Sequence, residues 1–265
     1  MGARLKDKVA IVTGGGKSIG KAISKAFISE GAVVVIAART LPQLEEAVKE
    51  LEAMGGRAMA IQTDVTDEKQ VMRMAAETVK AFGKIDILVN NSGFAGPTCN
   101  VIDMKLEDWN QVLAVDLTGS MLCAREVLKY MVPRETGIII NVAAEGGRTG
   151  DGRSGYPMRS PYCCAKMGVI GLTETLAQEV GKYNIRVNTI SPGAVRGDRF
   201  NRVHEARAKA QGITFDESVN KTMAKYSLGR PVEEYEVANS AVFLASDEAS
   251  AVTGQILICS CGNHL

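Results

Sequence analysis

Tyr162 and Lys166 stand four residues apart in the segment Ser160-Pro-Tyr-Cys-Cys-Ala-Lys166. On a helix, residues at that spacing share one face. An ammonium held close to a phenol favours the phenolate, so the pair could give and take a proton. Ser160 can cap such a helix and Pro161 suits its first turn. A Tyr and a Lys at this spacing also arise by chance, so the pair needs a second landmark. Thr13-Gly-Gly-Gly-Lys-Ser-Ile-Gly20 is a candidate. A glycine-rich turn between a strand and a helix lets backbone N–H groups approach a pyrophosphate at the positive helix end. Glycines also simply make turns, and this segment alone does not choose.

The elements that would position these residues alternate through the whole chain. Apolar runs at Lys8 to Thr13, Ala32 to Ala38, Arg57 to Gln62, Ile85 to Asn90, Gly137 to Val142, Asn184 to Ile190 and Gln255 to Cys259 predict strands. Between them lie segments of helical period. These are Ser18 to Ser29, the stripe Leu44, Ala47, Val48 and Leu51, and the stripe Val71, Met74, Ala75, Thr78, Val79 and Phe82. Two long helices are expected at about Leu106 to Met131 and Pro161 to Lys182, and a last one at Glu233 to Ala245. Such alternation predicts a parallel sheet with helices on both faces. A polar, helix-prone stretch from Asp198 to Tyr226 falls outside the rhythm. With no linker or repeat, residues 1–265 read as one domain.

Composition removes other classes. A hydrophobic content of 46% supplies a core, which excludes disorder as the default state. The 31 Lys and Arg balance 30 Asp and Glu, so there is no basic excess for a nucleic acid. Apolar runs such as Ala32 to Ala38 and Ile138 to Ile140 fall far short of the ~18 residues of a membrane span. The charged start, Met1-Gly-Ala-Arg-Leu-Lys-Asp-Lys8, runs straight into a strand and is no secretory signal. A cytoplasmic chain is expected. Cys99, Cys123, Cys163, Cys164, Cys259 and Cys261 form no disulfide framework, and His204 and His264 lack ligand spacing. Reduced thiols and no metal are the reading.

Further landmarks follow the third, fourth and sixth strands: Asp64-Val65, Asn90-Asn-Ser-Gly93 and Asn188-Thr-Ile-Ser-Pro-Gly193. With the glycine-rich turn and the Tyr162/Lys166 pair, their order and spacing resemble the short-chain dehydrogenases/reductases, from about Leu5 to Gly262. The resemblance implies a doubly wound, Rossmann-like sheet of seven strands binding NAD(H) or NADP(H). Gly14, Ile19 and Gly20 match the turn that holds the cofactor, Asp64 the residue that bonds the adenine, with Val65 beside it. Asn91 and Gly93 match the stretch lining the cofactor, and Pro192-Gly193 the pair beside the nicotinamide. Tyr162 and Lys166 match the acid/base pair for hydride transfer between an alcohol and a carbonyl. The second strand ends Ala37-Ala-Arg-Thr40, without the acid that would accept bonds from a ribose 2′-hydroxyl. Arg39 and Lys17 could instead pair with a 2′-phosphate, which favours NADP(H) over NAD(H) if a cofactor binds; Arg39 could equally be a solvated loop cation.

Departures from the family pattern cluster at the site. Where the family has a serine that bonds the substrate oxygen, this chain has Ala144 (or Ala143), and the helix asparagine of the family falls on Asp116. Losing a preorganised oxyanion donor typically costs about 10²–10³ in rate. Ser154, Ser160 or Thr149 could stand in. Asp116 would favour a charged Lys166 and could weaken or reroute a proton relay. Ser18 replaces the middle glycine, Gly197 falls near the place of a usual threonine, and the usual acidic-Gly-Gly ending reads Cys259-Ser-Cys-Gly262. The segment Gly146 to Ser160 exceeds the family's usual link and carries Arg148, Arg153 and Arg159. It suits an anionic substrate such as an acyl-CoA, a partner subunit, or plain solvation.

Two functions are therefore expected. The leading one is a degenerate, non-catalytic subunit of an oxidoreductase, assembled with an active homologous chain, as in heteromeric hydroxyacyl-CoA dehydrogenases. The other is a self-sufficient NADP(H)-dependent alcohol dehydrogenase or carbonyl reductase using Tyr162 and Lys166 without the serine, as a homotetramer. Family members commonly associate through the two long helices. The stretch 198–226 resembles the family's substrate lid, and its Phe200, Phe215 and Met223 suit lid-to-body packing or substrate contact.

Overall fold

Strands buried on both faces need uninterrupted apolar runs, and the runs read from the sequence become a parallel sheet. The computed structural model describes residues 3–144 and 155–263. Its strands are β1 (Val9–Thr13), β2 (Val33–Ala38), β3 (Arg57–Gln62), β4 (Ile87–Asn90), β5 (Gly137–Val142), β6 (Ile185–Pro192) and β7 (Ile256–Cys259). They lie in the order β3-β2-β1-β4-β5-β6-β7, every pair parallel. Along β1, Ala10 and Val12 face one helical layer and Ile11 the other, the two-residue period of a strand. The first layer holds α1 (Ser18–Ser29), α2 (Leu41–Ala53) and α9 (Glu234–Ala245), whose Phe27, Leu44 and Val242 pack on that face. The second holds α3 (Glu68–Phe82), α5 (Gly119–Met131) and α6 (Ser160–Val180).

The chain leaves β1 towards β2 on one side and returns as β4 on the other. That reversal opens a crevice beyond the carboxyl ends of the strands, where doubly wound sheets bind ligands. Gly14 to Gly20, Arg39, Asp64, Asn91 to Gly93, Ala144 and Gly193 all follow the carboxyl ends of β1 to β6. Strand topology thus brings residues scattered over 180 positions to one edge.

One expected helix differs. Leu106 to Met131 is two helices, α4 (Leu106–Leu113) and α5, joined by a wider, π-type turn over Ala114–Thr118. Such turns inside helices are frequent at functional sites, and Asp116 sits in this one. The stretch outside the rhythm forms α7 (Asp198–Gln211) and α8 (Phe215–Met223). Among the described residues, no helix is long and apolar enough to cross a membrane.

Candidate active site

The glycine-rich turn is built by backbone constraints. Gly14 has φ 66°, a left-handed value that favours glycine. A Cβ on Gly20 would come within 2.3 Å of the Gly14 carbonyl oxygen, so a side chain there would force the turn open. Asn91 fastens the turn to β4: its Nδ2 donates to the Thr13 carbonyl at 3.0 Å. The Thr13 hydroxyl in turn accepts the Asn91 and Ser92 N–H groups, each at 3.0 Å. Asn91 therefore holds the end of β1 and the start of the loop after β4 together. Ile19 packs on the core beside α1. Ser18 adopts φ 47°, a conformation costing a residue with a side chain about 1–2 kcal/mol. Its hydroxyl donates to Glu234 Oε1 at 2.8 Å. A depression of about 410 Å³ opens beside the turn towards α2, lined in part by Gly16, Lys17, Ser18, Lys21 and Glu234. Arg39, Tyr162 and Lys166 do not line it, so it is not the whole crevice.

Tyr162 and Lys166 share a face of α6 as their spacing requires. The Lys166 ammonium lies 5.8 Å from the Tyr162 ring centroid and is buried. It donates to the Val142 carbonyl at 3.0 Å and sits 3.3 Å from Asp116 Oδ2. Asp116, fully buried in the π-type turn, also accepts the Phe94 N–H through Oδ1 at 2.5 Å. A buried ammonium without a counter-charge would be expensive; here the acid from one helix balances the base of the next. Gly93 belongs to the same contact: a Cβ added there would stand 3.4 Å from Asp116 Oδ2 and 3.6 Å from Lys166 Nζ.

The structure chooses between the two alanines after β5. Ala144 packs in a cluster with Val112, Tyr162 and Ala165, whereas Ala143 is buried with Val169 and Ile170. Ala144 is thus the residue beside the phenol. Of the proposed stand-ins, Thr149 and Ser154 lie outside the described residues, as do Arg148, Arg153 and His264. Ser160 differs from expectation: Arg159 caps α6, Ser160 occupies the first helical position, and Pro161 follows. Two residues before Tyr162, it lies on another side of the helix. The Arg159 guanidinium donates to the Ala95 and Gly96 carbonyls, at 3.2 and 3.3 Å, and so ties the loop after β4 to the start of α6.

A buried polar chain behind the site went unread in the sequence. Asn90 Nδ2 donates to Asn141 Oδ1 at 2.9 Å, and Asn141 Nδ2 to Thr173 Oγ1 at 2.8 Å. Thr173 and Thr189 hydroxyls meet at 2.7 Å. Asparagines ending the apolar strands Ile87–Asn90 and Gly137–Val142 were the available signal, because a buried amide needs partners. The chain links β4, β5 and β6 to α6, seven residues beyond Lys166, and so sets the helix against the sheet. Asn141→Leu removes one partner each from Asn90, whose Nδ2 keeps the Ser120 carbonyl at 3.1 Å, and from Thr173; it is expected to lower unfolding free energy by about 1–3 kcal/mol, read as a shift in the urea midpoint.

The remaining predicted positions lie around the crevice. Asp64 Oδ1 accepts the Thr66 N–H and hydroxyl at 2.9 and 2.8 Å, a local turn that leaves it at the end of β3, with Val65 buried beside it. Pro192 closes β6, and the Gly193 N–H donates to the Cys259 carbonyl at 2.9 Å. Lys17 and Arg39 are exposed and, among the described residues, make no ion pair. In the lid-like stretch, Phe200, Met223 and Tyr226 pack against Ala194 and Cys261 of the body. His204 is buried between α7 and α8 with Nδ1 3.0 Å from Ser218 Oγ. Burial, with Arg207 nearby, holds its pKa below the ordinary 6.5. Phe200 and Met223 therefore serve lid-to-body packing.

Comparison with known proteins agrees with this geometry. Residues 14–264 match the family model described as enoyl-(acyl carrier protein) reductase. The chain is 36% identical over 255 residues to the 3-oxoacyl-(acyl-carrier-protein) reductase FabG of Thermotoga maritima, covering 96% of each. It is 32% identical over 263 residues to the BbsD subunit of a hydroxy(phenyl)methylsuccinyl-CoA dehydrogenase of Thauera aromatica, covering 98% of each. An actinorhodin polyketide ketoreductase variant solved with NADPH superposes with a TM-score of 0.90 at 32% identity, over 99% of this chain and 100% of that one. NAD+-bound xylitol dehydrogenase gives 0.89 at 31%, over 96% and 98%. The seven-stranded sheet is thus shared with these oxidoreductases, and the chain belongs to the short-chain dehydrogenase/reductase family.

Proposed function

We propose that this oxidoreductase interconverts a hydroxyl and a carbonyl group with NADP(H), using Tyr162 as the proton donor and acceptor. The observation that carries the reading is the buried Lys166–Asp116 pair set beneath the Tyr162 ring. NADPH, when bound, supplies the hydride. In the reducing direction Tyr162 gives its hydroxyl proton to the substrate oxygen, and Lys166 stabilises the phenolate left behind. Val142 accepts one of the three ammonium donors and Asp116 pairs with the charge, which leaves further N–H donors for a ribose or substrate hydroxyl.

The residues present fit the cofactor. The Gly14–Gly20 turn keeps its tight form. Lys17 and Arg39 follow the adjacent ends of β1 and β2, where Thr13 pairs with Ala37. They would hold a 2′-phosphate, with Asp64 at the adenine and Asn91, Gly93, Pro192 and Gly193 along the cofactor. Calorimetric titration tests this: NADPH is expected to bind tighter than NADH. Arg39→Ala with Lys17→Ala should abolish that preference by weakening NADPH about 10²-fold. Equal affinity of the parent chain for both would overturn the choice.

A second reading rests on Ala144, which packs against the cluster of Val112, Tyr162 and Ala165 at the position where the family resemblance expects a hydroxyl donor. On it, this chain is a non-catalytic subunit beside an active homologue, and a BbsD relative that is itself a subunit supports the comparison. Acyl thioesters are the first substrates to screen on either reading, since relatives are named for acyl-carrier-protein and CoA derivatives.

A further inference from the structure

Glu234 lies in the first turn of its own helix, where a carboxylate is favoured. It opens α9, yet its Oε1 accepts the Ser18 hydroxyl at 2.8 Å, at the start of α1. On the other side, a Cβ placed on Gly197 would stand 3.2 Å from the same oxygen. The carboxylate therefore bridges the glycine-rich turn and the loop after β6. The N-terminal N–H groups of α1 attract an anion, and here the chain's own anion is at hand. Backbone around Glu234 is held firmly: Arg230 makes a bidentate pair with Glu236 at 2.8 and 2.7 Å, and Arg196 bonds Glu233 at 2.8 Å. Only the Glu234 side chain needs to rotate for the bridge to open.

We infer that Glu234 is a gate on dinucleotide affinity: its carboxylate competes with the cofactor diphosphate at the turn and must swing away from Ser18 before that diphosphate can seat. The inference rests on the dinucleotide reading above. It also accounts for Ser18, which takes a left-handed backbone and supplies the hydroxyl that holds the gate.

The test is calorimetric titration of NADPH into the parent chain, Glu234→Gln and Ser18→Gly, with thermal melts to verify folding. Glu234→Gln keeps an acceptor for Ser18 but removes the charge, and is expected to tighten NADPH binding about tenfold at low salt. The difference should shrink near 1 M salt, where charges are screened within about 3 Å. Ser18→Gly should tighten binding as well. Binding by the variants where the parent chain shows none would support the gate equally. Unchanged affinity would overturn it while leaving the cofactor reading intact, and weaker binding would make Glu234 a ligand of the cofactor instead. If neither the parent chain nor a folded variant binds NADPH, the gate and the cofactor reading both fall.

Discussion

Tyr162→Phe is expected to lower the carbonyl-reducing kcat of the isolated chain by about 10²–10⁴, with KM little changed. The substitution keeps the ring that packs with Val112 and Ala165, so the fold and the cofactor crevice should survive. It deletes only the oxygen that gives the proton. The measurement is NADPH consumption with a panel of acyl thioesters and simple ketones, beside the NADPH affinity of the same variant. Unchanged affinity with lost turnover assigns the phenol to chemistry. The same variant separates the two functional readings. If this chain serves beside an active homologue, the isolated parent chain shows no turnover, and the assembled pair keeps its rate when Tyr162 is replaced.

Ala144→Ser is expected to raise kcat by about 10²–10³, the inverse of what losing one oxyanion donor costs. The gain should appear in kcat and kcat/KM together, because a donor aimed at developing charge acts in the transition state. Ala143→Ser is the control. Ala143 is buried with Val169 and Ile170, away from the phenol. A hydroxyl there should leave kcat unchanged and cost about 1–3 kcal/mol of stability unless it finds a partner. Equal kcat for Ala144→Ser and the parent chain would show that another group already supplies the donor. Combining Ala144→Ser with Tyr162→Phe should erase the gain, since the hydroxyl only polarises an oxygen to which Tyr162 delivers the proton.

Much of the architecture was legible because parallel strands announce themselves. Val33–Ala37 and Gly137–Val142 are buried throughout, and such runs have few homes other than the interior of a parallel sheet. The helical stripe of Val71, Met74, Ala75 and Thr78 likewise lands on the core side of α3. What escaped were features with no periodic signal. The break at Ala114–Thr118 leaves the apolar pattern nearly unchanged, so one helix was expected where two meet. The wider turn matters, because Asp116 lies in it and its carboxylate reaches Lys166, fifty residues away in sequence. Ser160 was expected to cap α6, but capping depends on the dihedral angles of Arg159 and on where the loop arrives, neither of which residue type dictates.

The sequence by itself determined the strand and helix alternation, the glycine-rich turn, the Tyr162/Lys166 spacing and the absence of a serine beside them. Each is a local property, set by residue type and by separations of a few positions. Only the tertiary structure decided that Ala144 rather than Ala143 faces the phenol, that Asp116 pairs with Lys166, that Asn141 links Asn90 to Thr173, and that Glu234 reaches Ser18. Those contacts join residues from 18 to 216 positions apart. Their distances depend on how sheet and helices pack, and a chain's order along its length carries no such distance until the core has closed.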